Sequence, residues 1–238
     1  MLIPGHWFGT ERAAPRYSST RRQPRRHHRP RPDVTATPDI PRALPKQERA
    51  QQTYELLLDV AGELLSEVGI DRISTNLICA RAGLTPPALY RYFKDKYSVL
   101  EALGLRLMER QNAVLEAWIA RHAGKGLDDL QDNIEELLRE NAAVTRAEPG
   151  AVWILRALHG SPRLAHVRID SHRYVTGKLV EAYAPYLPHM NREDLWLYIR
   201  LTVELGFGAD EMLYEEPGVL ADAVFRTAAN MMRGGLAS

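Results

Sequence analysis

Apolar residues take up helical spacing at about Lys46 and hold it through the rest of the chain. Tyr54, Leu57, Leu58, Ala61, Leu64, Leu65 and Val68 recur at steps of three and four, so a first helix carries one apolar stripe until Gly69 stops it. The same periodicity predicts helices over about 96–122, 127–146, 150–159, 162–183, 191–213 and 217–233. Pro149-Gly150, Ser161-Pro162, Pro185 with Pro188, Glu216-Pro217 and Gly234-Gly235 punctuate them. Asn191, with Glu193 and Asp194 in the next turn, is an N-cap followed by acids that suit the positive end of the helix dipole. No alternating segment bounded by hairpin turns and no internal repeat is present, so the fold class is all-α.

Between Gly69 and Tyr97 the pattern shortens to two very small helices. Ser74 caps the first, Ile73 and Ile78 flank that cap as a hydrophobic staple, and Gly83 ends the helix. Thr85 is the cap of the second, Pro86 takes the first helical position where a missing N–H costs nothing, and Leu84 with Leu89 repeats the staple. Helices this short are unstable alone and must be held by neighbours. Together they read as a helix-turn-helix, with Ile78, Ala82, Leu84 and Leu89 as packing and Cys79 as a small buried residue where the helices cross. The second helix would lie in a major groove. Its first turn, Pro86, Pro87 and Ala88, offers no bidentate hydrogen bond, so base reading there is expected to be apolar, against thymine methyls for example. Thr85, Tyr90 and Arg91 remain as polar readers or phosphate ligands, with Ser74 and Thr75 at the start of the first short helix also on the DNA-facing side. Asp95 can cap a following helix that begins at Lys96, either a phosphate clamp or a solvated Lys94-Asp95-Lys96 turn.

The stretch from about Gln47 to Leu103 resembles the DNA-binding domain of TetR-family transcriptional regulators. Ile78, Ala82-Gly83-Leu84-Thr85, Leu89-Tyr90, Phe93 and Lys96 carry the likeness, within Leu-Tyr-Arg-Tyr-Phe-Lys-Asp-Lys leading into a connecting helix. The resemblance implies a homodimer, usually a repressor, with one helix-turn-helix per subunit and a helical effector-binding domain. It also implies phosphate contacts from Tyr90 and Lys96 and base reading between Thr85 and Arg91. Many relatives carry Lys-Gly where this chain has Pro86-Pro87, so a contact from that lysine is absent. The expected organisation is an arm over 1–45, a DNA-binding domain over 46–95 and an effector-binding and dimerisation domain over 96–238.

Charge adds one feature. Across all 238 residues the net charge is +1. Residues 1–45, however, hold nine arginines against Glu11, Asp33 and Asp39, a net of +6, and eight of the fifteen prolines. That composition cannot bury enough surface to fold, so the arm is expected to be disordered. It is either a solvated tail or an arm that lies along phosphates, and translation beginning at Val34 or Leu44 is a third reading. The remaining 22 basic and 27 acidic side chains give −5, while residues 46–97 balance at seven of each. A single cysteine excludes a disulfide framework and suits a reducing cytoplasm. No apolar run is long enough for a membrane span.

Beyond Leu103 the residues alone must speak. Trp153, Arg156, His159 and Tyr174 best fit an apolar cavity with a few inward polar groups, which would take an unknown small-molecule effector. Leu195, Ile199, Thr202, Val203 and Gly206 on one late helix, with Leu220, Val224, Thr227, Ala228 and Met231 on the next, form stripes expected to build a four-helix dimer interface, unless both serve the protomer's own core. His159, His166 and His172 fall on different faces or elements, which argues against a metal site. No HExxH, glycine-rich phosphate loop or GxSxG elbow occurs, so no catalytic residue, metal or cofactor is expected. Two readings follow: a dimeric, ligand-responsive regulator on a pseudo-palindromic operator, or a helical interaction or small-molecule-binding protein that keeps the fold without operator binding.

Overall fold

The computed structural model describes residues 48–234, and the arginine-rich arm over 1–45 lies outside the described residues. The described residues form ten α-helices and one short 3-10 turn. In order these are α1 (Glu48–Arg72), α2 (Thr75–Ala82), α3 (Pro86–Tyr90), α4 (Lys96–His122), α5 (Leu127–Asp132), α6 (Ile134–Ala147), α7 (Ala151–Gly160), α8 (Ala165–Tyr183), α9 (Arg192–Glu215) and α10 (Ala221–Gly234). No described helix is long and apolar enough to cross a membrane.

Local chemistry explains most boundaries. The α1 stripe is buried from Leu57 to Leu65, and Gly69, at φ 74°, breaks the regular helix before a last turn to Arg72. Ser74 accepts the Leu77 N–H at 3.2 Å, and Gly83 closes α2 in the left-handed region. Thr85 differs from expectation, because its side chain makes no capping bond. Pro86 and Pro87 bring no N–H for it to accept, and the first available donor, Ala88 N–H, goes instead to the Thr85 carbonyl at 2.9 Å. Asp95 and Ser98 close a reciprocal capping box on α4.

The helix expected over 127–146 is two helices. Asn133 interrupts it by turning its side-chain amide onto the Asp129 carbonyl at 2.7 Å, while its own carbonyl accepts the Trp118 indole N–H at 2.9 Å.

One core unites α1 to α3, the first half of α4 and α7, so Leu57, Ile78, Leu89 and Leu103 share a cluster with Ile154 and Leu158. A second core joins the far half of α4 to α8 and α9 through Leu115, Trp118, Leu179, Ile199 and Val203. The helix-turn-helix therefore has no core to itself; α7 completes it.

Two contacts fix α1 against the turn between α6 and α7. A side chain on Gly62 would meet the Pro149 carbonyl at 2.9 Å, and one on Gly150 would meet the Gly62 carbonyl at 2.7 Å, so two backbones approach where any Cβ would intrude. Beside them the fully buried carboxylate of Glu148 accepts from Arg106 at 2.7 Å and from Arg110, and Arg106 also reaches Asp59 on α1 at 2.7 Å. Removing one partner of such a buried group leaves an uncompensated charge. Arg106→Ala, which leaves the buried Glu148 carboxylate with Arg110 alone, is therefore expected to lower the urea midpoint by an amount equivalent to about 3–5 kcal/mol. Arg81→Ala, which breaks an ion pair between two exposed side chains, should barely move it; equal shifts for the two variants would show that the buried cluster does not anchor the fold.

Candidate functional site

The helix-turn-helix presents a compact outer face. Thr85, Pro86, Pro87 and Arg91 are exposed and Ala88 is half-buried, while Leu89 is wholly buried and anchors α3 from beneath. Tyr90 is 52% exposed, enough to reach a partner, and its hydroxyl lies 3.3 Å from the Thr75 hydroxyl. Ser74, Thr75 and Tyr90 thus gather on one surface from two helices, although Thr75 and Tyr90 stand 15 positions apart. Cys79 is buried at the crossing, and burial pushes its thiol up, which disfavours a reactive thiolate.

Lys96 is less free than a dangling clamp. It is half-buried, and its ammonium donates to the Ile70 carbonyl at 3.3 Å at the end of α1. Two of its three donors remain for another ligand. The neighbouring Asp95 is also engaged: burial alone would raise its carboxyl, but hydrogen bonds from Arg163 and Ser98 hold it below the usual carboxylate range. Arg163 comes from the turn before α8, pairs with Asp95 at 2.7 Å and lies over the Tyr97 ring at 4.9 Å. No periodicity marks Arg163, so sequence reasoning passed over it.

Of the four residues expected to line an effector cavity, Trp153 borders a hollow with Ser66, Glu148 and Tyr214, and Arg156, His159 and Tyr174 are not among its lining. Trp153 packs against Gly69 and carries Arg156 over its ring at 5.1 Å. His159 faces its own helix, with Nδ1 at 3.1 Å from the Leu155 carbonyl, and lies near Glu211. Tyr174 donates to Glu116 on an outer surface; burial and that carboxylate push its phenol up to about 12.

The apolar cavity lies deeper, between α4, α6, α8, α9 and α10. The cavity volume is about 90 Å³, within a larger hollow that is open to solvent. Its walls include Leu115, Trp118, Val175, Leu179, Phe207 and Met232, together with Ile199, Thr202, Val203 and Gly206. The last four were expected at a dimer interface, and Leu195 is buried beside them in the same core. Val224 and Ala228 are likewise internal, packed with Ala209. Only Leu220, Thr227 and Met231 of the expected interface set are exposed. The large apolar side chains left exposed on and beside these helices are Leu197 and Leu201 of α9, Leu220 just before α10 and Met231 of α10, at 54%, 62%, 75% and 63% exposure. Helix α9 is apolar on two faces, and spacing alone does not say which one a protomer uses for itself.

Gln111 of α4, Thr145 of α6 and Asp210 of α9 meet at one side of this cavity. The Gln111 amide donates to the Thr145 hydroxyl at 2.9 Å, and Thr145 is near enough to Asp210 to influence its carboxyl. The signal was present in the sequence, since Gln111 continues the stripe Leu100, Leu103, Leu107 and Asp210 continues Ile199, Val203, Gly206. A polar residue in phase with a buried stripe marks such a site.

An all-helical protein with an exposed helix-turn-helix at one end and a helical cavity at the other defines the class. Residues 57–103 match the family described as bacterial regulatory proteins, tetR family. The tetracycline repressor protein class D of Escherichia coli is 29% identical over 127 residues, 53% of this chain and 51% of that protein. The nucleoid occlusion factor SlmA of Glaesserella parasuis is 32% identical over 109 residues, 46% of this chain and 50% of that one. The chain thus spans about half the length of the curated relatives it matches. A TetR-family transcriptional regulator from Streptomyces coelicolor superposes with TM-score 0.55 at 23% identity, over 76% of this chain and 96% of its own. The fatty acid degradation regulator FadR from Bacillus halodurans gives TM-score 0.61 at 15% identity, over 78% and 96%. The structural likenesses show a shared fold, and the family match covers residues 57–103, from α1 through the helix-turn-helix into α4.

Burial raises the Asp210 carboxyl above its ordinary value, Glu211 adds to that, and Thr145 and Arg146 oppose it. A raised folded-state value means stability that is complete below the unfolded pKa, near 3.9, and lost as pH rises through the folded one. Asp210→Asn, which cannot ionise, should therefore be more stable than the parent at pH 7.5, and the advantage should vanish near pH 4. Urea midpoints at the two pH values check this, and a pH-independent difference would contradict it.

Proposed function

We propose that this protein is a DNA-binding transcriptional regulator that acts as a homodimer on a pseudo-palindromic operator and responds to a small molecule held in the α4–α10 cavity. The observation that carries the reading is the exposed surface of Thr85, Pro86, Pro87, Tyr90 and Arg91, held from below by the wholly buried Leu89. A five-residue helix with its first turn bare to solvent has no use in a core, and it suits insertion into a major groove. Pro86 and Pro87 would meet base edges through apolar contact, with Tyr90, Arg91 and the spare donors of Lys96 on phosphates.

The dimer is assigned to the exposed Leu197, Leu201, Leu220 and Met231, which would pack α9 and α10 against their symmetry mates. Regulation follows from the shared helix. Gln111, Leu115 and Trp118 of α4 line the cavity, while Arg106 of α4 ties α1 to Glu148. A ligand that shifts α4 moves the reading helix of each subunit. Two heads must span about one DNA turn, roughly 34 Å, so a few ångströms of separation spoils simultaneous docking.

Footprinting against the DNA upstream of the gene should give a protected pseudo-palindrome, with a log–log salt slope of about −5 if six phosphates are neutralised per dimer. Tyr90→Ala should weaken binding across sequences without altering the oligomer. Absence of protection at every salt concentration would favour the second reading, a ligand-binding protein that keeps the fold without an operator. Separately, Leu201→Glu combined with Met231→Glu should convert a dimer to a folded monomer in sedimentation velocity, and an intact dimer would move the interface elsewhere.

A further inference from the structure

The polar side of the cavity is one-sided in its chemistry. Gln111 is 2% exposed and Asp210 is 7% exposed, and both line the empty space. Gln111 spends its amide N–H on Thr145, leaving Oε1 without a partner; Asp210 Oδ1 also has none. Thr145 has a single proton and donates it to the Asn141 carbonyl at 3.1 Å, so it does not serve these acceptors. Two buried, unpaired acceptors, one of them a carboxyl oxygen, therefore belong to residues lining a space whose other walls are mostly apolar, with Asn141, Thr202, Tyr183 and Tyr198 among them.

Leaving such groups unpaired is costly, and no donor lies within hydrogen-bonding distance of either acceptor. An anionic ligand would add repulsion to an already desolvated carboxylate, and a purely apolar one would seal both acceptors away from water. A protonated amine answers both at once: its N–H groups can bond Asp210 Oδ1 and Gln111 Oε1, and its charge offsets the buried carboxylate. The apolar remainder of the lining, Leu115, Val175, Leu179 and Phe207 among it, suits an alkyl or aryl tail.

We propose that the cavity binds a lipophilic primary or secondary amine in its protonated form, with the ammonium between Asp210 and Gln111 and the apolar tail against Leu115, Val175, Leu179 and Phe207. The inference rests on the reading of this cavity as the effector site, and it adds the class of effector.

The test compares three probes of equal chain length, n-octylamine, n-octanol and sodium octanoate, on the full chain at pH 7.5 by calorimetry and thermal shift. n-Octylamine should bind at least tenfold more tightly than the other two. Asp210→Asn should cost the amine at least tenfold in affinity while leaving octanol within about threefold. Gln111→Leu should weaken the amine to a smaller extent, and thermal unfolding of each variant verifies that it is folded. Equal or tighter binding of octanol or octanoate, or an amine affinity unchanged in folded Asp210→Asn, overturns the amine assignment while the cavity stays a ligand site. Failure of all three probes to bind overturns it too, and also removes support for the effector site itself. Amine binding without any operator footprint leaves this inference standing and defeats the regulatory one.

Discussion

A carboxylate sealed from solvent organises the molecule. Glu148 sits at the turn between α6 and α7, takes hydrogen bonds from Arg106 and Arg110 of α4, and through Arg106 is linked to Asp59 of α1. An ion in a low-dielectric interior is tolerated only where its partners are fixed, so the cluster imposes one relative placement on three elements. The glycine-to-backbone contact of Gly62 with Pro149 and Gly150 imposes the same placement by sterics. Electrostatics and packing thus agree at the junction between the helix-turn-helix and the rest of the chain.

That junction makes α4 the connection between the two ends of the molecule. Its first turn is closed by the Asp95–Ser98 box and clasped by Arg163. Its middle carries Arg106 and Arg110, and its far half supplies Gln111, Leu115 and Trp118 to the cavity. A continuous helix transmits displacement because its hydrogen-bonded backbone does not absorb it locally. The unsatisfied acceptors at Gln111 and Asp210 lie at the point on this helix where a ligand would push. A buried carboxyl group with one oxygen unpaired costs stability in the folded protein.

Much was legible before any coordinates. The span of α4, the staples and glycine of α2, and the start of α3 at Pro86 follow from capping chemistry and three-four spacing, which are properties of a few adjacent residues. The helix-turn-helix face was legible for the same reason, since Leu89 must point inward and Pro86, Pro87 and Tyr90 must then point out. The cap expected of Thr85 failed on a local detail, the missing donors of two consecutive prolines. The break at Asn133 needed the Trp118 indole, 15 positions away, and no periodicity contains that.

The chain order alone therefore determined the all-helical class, the helix-turn-helix and its exposed residues, because those depend on contacts within one or two turns. The tertiary structure decided which face of α9 is interior, and so turned Ile199, Thr202, Val203 and Gly206 from an expected interface into cavity wall. It also sent Trp153, Arg156, His159 and Tyr174 elsewhere and brought Gln111, Thr145 and Asp210 together from three helices. An amphipathic pattern records that a face is apolar and is silent on its neighbour; only the packed arrangement of several helices supplies that neighbour.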